Sequence, residues 1–289
     1  MPLKQKRTRR KRIPPLARKK MTLSEAIERL RAAGVPDAEY DARAIFRHFG
    51  GFREYELVSR SISSDEPRLI DATRRREGRE PLQYIIGECD FYRERYFVSR
   101  DCLIPRSDTE VLVDFAVKNL PDGARFIDLC TGSGCIALSV LNNTADTTAL
   151  AVDISPAALE IARKNANRLG LDSRVEIREG DALGVAIGGE IYAVLSNPPY
   201  VTDSEYTSLE REIYFEPRGA FVGGEDGGDF YRAITENYRH SLKKGGFIAY
   251  EIGAAQAELL EKIAEDNDMS CEIINDLGGR ARVAVLKPL

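Results

Sequence analysis

Along the first part of the chain hydrophobic residues recur every three to four positions, and beyond Arg125 they gather into short continuous runs. Leu23, Ala26, Ile27 and Leu30 fall on one face of a helix that Thr22 and Glu25 open as a capping box and that Gly34 and Pro36 stop. Ala42, Ile45, Phe46 and Phe49 mark a second helix over 38–49, and a third is expected over about 67–77. Together these elements predict a small helical domain over residues 21–80. Residues 81–107 read as a β-hairpin linker, from PLQYIIG at 81–87 and the alternation between Phe91 and Val98. Ser107 and Glu110 are spaced as another capping box, ahead of a helix carrying Val111, Leu112, Phe115 and Ala116.

The remainder, residues 108–289, changes rhythm to strand, helix, strand. Apolar strands are expected at 126–129, 149–154, 175–178, 191–195 and 247–252, with helical patterns between most of them, notably 156–169 and 254–266. Such alternation predicts an α/β domain around a mainly parallel sheet. Two last strands, 271–275 and 282–287, are joined through Leu277–Gly279 without room for a helix, so the final one should run antiparallel.

The first of these strands runs into DLCTGSGCIA, Asp128 to Ala137. Gly132 and Gly134 permit the tight turn and close backbone approach that a nucleotide-type cofactor needs. A lone glycine pattern is weak, but the second strand ends in Asp153, about 20 residues on, where a carboxylate can accept both hydroxyls of a ribose. The third strand ends at Gly180 and Asp181, an acid suited to an adenine amino group. NAD binding predicts much of this pattern too. Asp128 argues against it, because a carboxylate there would repel a pyrophosphate and favour a sulfonium or ammonium centre. A positively charged S-adenosylmethionine fits better.

The fourth strand ends in SNPPY, Ser196 to Tyr200. Proline has no N–H for a ladder and pushes the residue before it out of the helical region, so Asn197 and Pro198 are held extended with carbonyls free. The Asn197 side chain and the Pro198 carbonyl offer two acceptors, and Tyr200 a flat wall, which together suit a planar NH2 group. Taken alone, Asn-Pro-Pro is more often an ordinary turn.

Composition narrows the classes. The 289 residues, 43% hydrophobic, can fill a real core, and no apolar run approaches the ~18 residues of a membrane span. Five cysteines without a CxxC pair fit reduced thiols in a cytosol, and two histidines make a zinc site or a histidine triad improbable. Ten Lys or Arg and no acid fall in residues 1–20, so a net charge of –4 leaves –14 for the rest. The basic start reads as a disordered tail, equally suited to solvation and to weak phosphate contacts with RNA or the ribosome.

These motifs resemble a known family. PLQYIIG, LIPRSDTE (103–110), DLCTGSGCIAL, AVDISPAAL (151–159) and SNPPY are similar to those of the HemK-type release-factor glutamine methyltransferases, as are EPRGAFVGGEDGGDFYR (216–232), GGFIAYEIG (245–253) and DLGGRAR (276–282). The likeness covers nearly everything after residue 21, in order. It implies a seven-stranded, Rossmann-like methyltransferase sheet behind a helical substrate-binding domain, in a cytoplasmic enzyme. The implied reaction moves a methyl group from S-adenosylmethionine to the glutamine side-chain nitrogen in the Gly-Gly-Gln motif of release factors. With the residue chemistry it assigns Asp128, Thr131, Gly132, Gly134, Asp153, Asp181 and Asn197 to the cofactor. Asn197, Pro198, Pro199 and Tyr200 are assigned to the substrate, Asn197 and Pro198 being the catalytic pair, with no metal. Arg106 and Glu251 match family motifs and stand outside that catalytic set. Ser107 and Asp108 replace the usual Pro-Glu, Arg93 a glycine and Gly228 a leucine, departures in a linker and two loops.

Two rival functions share parts of this pattern. An exocyclic amino group of adenine or guanine would ask the same of SNPPY, which makes a nucleic-acid methyltransferase the nearest; the –14 body, which should repel phosphate, counts against it. A non-catalytic RNA-associated protein would not need Gly132, Gly134, Asp153 and Asn197 together.

Overall fold

The computed structural model describes residues 20–184 and 190–289. The basic segment expected as a disordered tail therefore lies, apart from Lys20, outside the described residues. The chain divides into two compact units, with the boundary between Leu82 and Gln83.

The described residues of the first unit form three α-helices, a 3-10 turn at Glu56–Val58 and a short antiparallel pair, β1 (Met21–Thr22) with β2 (Ser63–Ser64). Helix α1 (Leu23–Ala32) begins where Thr22 Oγ1 accepts the Glu25 N–H at 3.0 Å, and it buries Leu23, Ala26, Ile27 and Leu30. α2 (Ala38–Gly50) stops at Gly51, whose φ of 71° only glycine adopts freely. α3 (Pro67–Glu77) carries Pro67 in its first turn, where a missing N–H costs nothing. A buried ion pair, Arg76 to Asp41 at 2.6 Å, joins α3 to α2.

The boundary falls within a short helical segment. Residues 82–86, expected within a β-connection, form a helical turn, α4 (Leu82–Ile86). Leu82, Tyr84 and Ile85 are all buried, and so short an apolar run carries no period that separates a helical turn from a strand. The hairpin follows: β3 (Glu88–Phe91) pairs antiparallel with β4 (Glu94–Phe97), turning through Tyr92 at φ 57°. That turn also explains why the second capping box is absent. Glu110 Oε1 accepts the Tyr92 N–H at 2.8 Å, and the chain enters α5 (Glu110–Asn119) through a 3-10 turn at Ser107–Thr109.

Seven strands form the main sheet: β5 (Arg125–Leu129), β6 (Thr148–Asp153), β7 (Val175–Glu179), β8 (Ile191–Ser196), β9 (Leu242–Glu251), β10 (Met269–Asn275) and β11 (Ala281–Pro288). Between them run α6 (Cys135–Asn142), α7 (Pro156–Leu169), α8 (Asp203–Tyr206), α9 (Asp229–Tyr238) and α10 (Ala257–Asp266). The spatial order is β10-β11-β9-β8-β5-β6-β7, all parallel except β11, which runs against both neighbours. Phe126, Leu195, Phe247 and Val285 face the core that holds Leu112 of α5 and Ile136 of α6, whereas Ile127, Val194, Ile248 and Leu286 face Ile234 of α9 and Leu260 of α10. Both faces of the five inner strands are covered, which is why their centres read as near-continuous apolar runs, whereas the edge strands β7 and β10 carry polar residues and are largely half-buried or exposed. β9 starts at Leu242, earlier than its apolar run at Phe247 suggests, because Gly246 lets the strand pass where a Cβ would lie 2.5 Å from the Tyr192 carbonyl.

The chain fills β5, β6 and β7 in one direction and then returns to β8 on the other side of β5. That reversal opens a crevice beyond the carboxyl ends of β5 and β8, where open α/β sheets bind their ligands. Among the described residues no helix is long and apolar enough to cross a membrane.

Candidate active site

A cavity of about 550 Å³ occupies this crevice. Four carboxylates stand in its wall, those of Asp101, Asp153, Asp181 and Asp229; among the described residues no Lys, Arg or His lines it, and Arg232 stands outside it, 3.7 Å from Asp229. Such a wall favours a cationic ligand and disfavours a pyrophosphate. A larger hollow of about 740 Å³ beside α5 and the β10–β11 turn contains none of the expected site residues.

The glycine turn forms one side. Gly132, at φ 56°, lines the cavity, and a Cβ built on it would meet nothing within 4 Å, so its backbone lies open to a ligand. Gly134, at φ 82°, is instead a packing position, where a Cβ would lie 3.3 Å from that of Ala162 on α7. Asp128 and Thr131 stand behind the turn. Asp128 Oδ2 accepts the Thr131 hydroxyl at 2.5 Å and the Ala137 N–H at 3.1 Å, which ties the strand end to the first turn of α6. Among the described residues the other oxygen, Oδ1, has no partner and is buried, and burial pushes this carboxyl up to about 7. A buried acceptor left unbonded is costly, and a cationic ligand nearby relieves it.

At the next two strand ends the acids face the cavity. Asp153 accepts the Gly132 N–H through Oδ2 at 2.8 Å and the Ser155 N–H through Oδ1 at 2.9 Å, so its position is fixed by the glycine turn beside it. Burial raises its pKa, and the N–H bonds to Ser155 and Gly132 work against that rise. Asp181 is exposed and held by the Leu183 N–H at 2.9 Å. Beside these acids Ile154 and Leu183 line the same cavity at 66% and 45% exposure, apolar faces that sequence reasoning passed over.

SNPPY forms the opposite side. Ser196 Oγ donates to the Leu129 carbonyl at 2.7 Å and stitches β8 to β5. Asn197 and Pro199 line the cavity, Pro198 is buried, and the Tyr200 hydroxyl turns away to Glu251 Oε1 at 3.2 Å. The Asn197 amide donates through Nδ2 to Thr109 Oγ1 at 3.3 Å. Among the described residues neither Asn197 Oδ1 nor the Pro198 carbonyl receives a hydrogen bond. The next carbonyls are occupied: that of Tyr200 accepts Gln256 Nε2 at 3.0 Å, and that of Pro199 is packed by Gly223, where a Cβ would lie 2.2 Å away. Buried Glu216 braces a third wall, because it accepts the Ile104 N–H at 2.9 Å and the Arg106 guanidinium, tying the 101–106 loop to the 216–220 segment.

A cation-seeking cavity at the switch point of a Rossmann-like sheet, with an open glycine backbone and acids at the two following strand ends, fits S-adenosylmethionine and marks the class as a methyltransferase that uses it. Comparison with known proteins narrows the class. A family model described as the methyltransferase small domain matches residues 107–217, and one described as the PrmC N-terminal domain matches residues 22–87. A release factor glutamine methyltransferase of Clostridium acetobutylicum is 38% identical over 81% of this chain and 82% of its own. One of Cereibacter sphaeroides is 36% identical over 90% of this chain and 95% of its own. Among solved structures, the release factor-specific protein-(glutamine-N5) methyltransferase of Alicyclobacillus acidocaldarius is 29% identical over 67% of this chain and all of its own, with a TM-score of 0.40. The chain belongs to the release factor glutamine methyltransferase family.

Proposed function

We propose that this protein methylates the side-chain nitrogen of the glutamine in the Gly-Gly-Gln motif of a peptide-chain release factor, with S-adenosylmethionine as donor, and that Asn197 and Pro198 do the orienting. The observation that carries the residue assignment is the pair of idle acceptors, Asn197 Oδ1 and the Pro198 carbonyl, at the end of the strand beside the cavity. A primary amide nitrogen is a poor nucleophile, because its lone pair is delocalised into the carbonyl. Its two N–H groups match the two acceptors, which fixes the amide plane and leaves the lone pair, normal to that plane, for the incoming methyl. S-adenosylmethionine, when bound, supplies an electrophilic methyl on a positively charged sulfur. The nitrogen takes that methyl as the S–CH3 bond breaks with its electron pair left on sulfur, and the surplus proton on nitrogen passes to solvent as the products leave, so the chain's own task is alignment. Alignment can supply about 7–11 kcal/mol of the barrier.

On this reading Asp153 holds the ribose hydroxyls, Asp181 the adenine amino group, and Gly132 the close approach to the cofactor, with Asp128, Thr131 and Gly134 holding the turn. Pro199 and Tyr200 complete the substrate side. The helical unit binds the factor, the basic segment 1–20 adds a weak, salt-sensitive contact with RNA or the ribosome, and the setting is cytoplasmic. The test is transfer of labelled methyl to a purified release factor, to its Gln→Ala variant and to structured RNA. Label on the intact factor alone is expected; label on RNA alone would keep the cavity's role and transfer the function to nucleic acid.

A further inference from the structure

Behind SNPPY lies a buried carboxylate that the alignment just described does not use. Glu251 closes β9 beside the end of β8 and is 2% exposed. Its Oε2 accepts the Thr109 hydroxyl at 2.5 Å and its Oε1 the Tyr200 hydroxyl at 3.2 Å. Thr109 is equally buried, and its oxygen faces Asn197 Nδ2 at 3.3 Å. A hydroxyl has one proton and two lone pairs. The Thr109 proton is committed to the carboxylate, so towards Asn197 that oxygen can only accept, and what it accepts is an N–H of the amide. The two ends of an amide have nearly the same shape, and hydrogen bonding alone decides which of them faces which way.

We propose that Glu251 and Thr109 are positioning residues for methyl transfer: acting through the Thr109 hydroxyl they hold Asn197 with Oδ1 towards the reacting nitrogen, and through the Tyr200 hydroxyl they fix the neighbouring ring. The proposal rests on the assignment of Asn197 Oδ1 as an acceptor for the substrate amide. Without the relay Asn197 is free to turn over and present its own N–H groups to a nitrogen that already carries two. A carboxylate suits the post because it accepts from both hydroxyls at once, whereas an amide in its place must turn an N–H towards one of them. Burial pushes the Glu251 carboxyl above the usual range, and the bonds from Thr109 and Tyr200 and the charge of Arg282 oppose that push.

The test compares wild type with Thr109→Val, Thr109→Ser and Glu251→Gln in methyl transfer to the release factor, with cofactor affinity measured by calorimetry. Thr109→Val should lower kcat on the order of 10–100-fold, with KM for the factor and cofactor affinity held within about twofold. Thr109→Ser, which keeps the hydroxyl, should recover most of the loss, and Glu251→Gln should lower kcat in the same selective way. Wild-type kcat in Thr109→Val, equal losses in the Val and Ser variants, or a loss confined to KM would each overturn the relay. Should Thr109→Val fail to melt cooperatively, Glu251→Gln decides, and wild-type kcat there is the overturning result. A wild type that methylates no release factor would sink the functional assignment instead. In that event the Asn197 side-chain amide resonances still decide the relay, which predicts that they shift in Thr109→Val and fails if they stay in place.

Discussion

Two neighbouring strand ends build the site, and they are held in different ways. At the end of β5 the glycine turn is braced from within its own sequence, since Asp128 reaches Thr131 and Ala137, three and nine positions away. At the end of β8 SNPPY is braced from far along the chain: Thr109 stands 88 positions from Asn197, and Glu251 and Gln256 stand 51 and 56 from Tyr200. The glycine turn also takes support from Asp153, Asn165 and Ser196, so the two ends differ in how much of their bracing is local. The SNPPY end depends on the 107–109 turn, β9 and Gln256, so its geometry is set mainly by distant packing.

The largest effect should come from the SNPPY end. Asn197→Ala is expected to fold, bind cofactor normally and lose turnover on the order of 10²–10³, as removal of one preorganised hydrogen-bonding group does. Turnover assays beside calorimetry check this, and near-normal turnover would remove Asn197 from the chemistry. The two glycines sharpen the contrast. Gly223→Ala drives a methyl into the Pro199 carbonyl, a backbone atom with little room to give, and should cost about 1–3 kcal/mol of stability together with activity. Gly132→Ala meets open space and bears only its positive φ, about 1 kcal/mol, but places a methyl in the cavity and weakens the cofactor. Thermal melts with calorimetry separate the two, and a variant of Gly132 that lost turnover without losing affinity would blur the division.

Asp153→Ala should weaken cofactor binding roughly tenfold to a hundredfold, through loss of a charged hydrogen-bonding partner, with unchanged affinity by calorimetry refuting the ribose assignment. A further effect is in pH. Asp128 sits near 7 in the folded chain, against about 3.9 in an unfolded one, so over that window the folded state holds a proton that the unfolded state has lost. Its contribution makes stability fall as pH rises from about 4 to about 7, and Asp128→Asn should flatten that slope in urea melts. Binding of a cationic cofactor should release the same proton, so affinity rises with pH in wild type and not in the variant.

The difference between the strand ends also decides what the sequence could reveal. A strand running into Gly132 and Gly134, with Asp153 and Asp181 ending the next two strands, needs only local spacing to be recognised, and the apolar runs of the inner strands announce a sheet whose centre is buried on both faces. SNPPY is conspicuous in itself, but its supports are not. Thr109 lies inside what looked like a capping box, and the Glu110 carboxylate that would have closed that box is held instead by the Tyr92 N–H, a contact no spacing foretells. Glu251 was visible as an acid ending an apolar strand, yet neither of its partners was. Gly223 fell in a recognisable motif without a reason, and the reason is the carbonyl of Pro199 pressed against it. The turn at 82–86 is not legible in the sequence, because buried, short and aperiodic apolar runs look alike in either conformation.

The most direct test of the account is to locate the methyl group. Wild type and Asn197→Ala would each be incubated with S-adenosylmethionine and a release factor, and the Gly-Gly-Gln peptide mapped by fragmentation mass spectrometry. The account predicts one methyl on the glutamine side-chain nitrogen with wild type and almost none with Asn197→Ala at equal cofactor occupancy. A methyl on any other atom of the factor, or an undiminished yield from the variant, would contradict it.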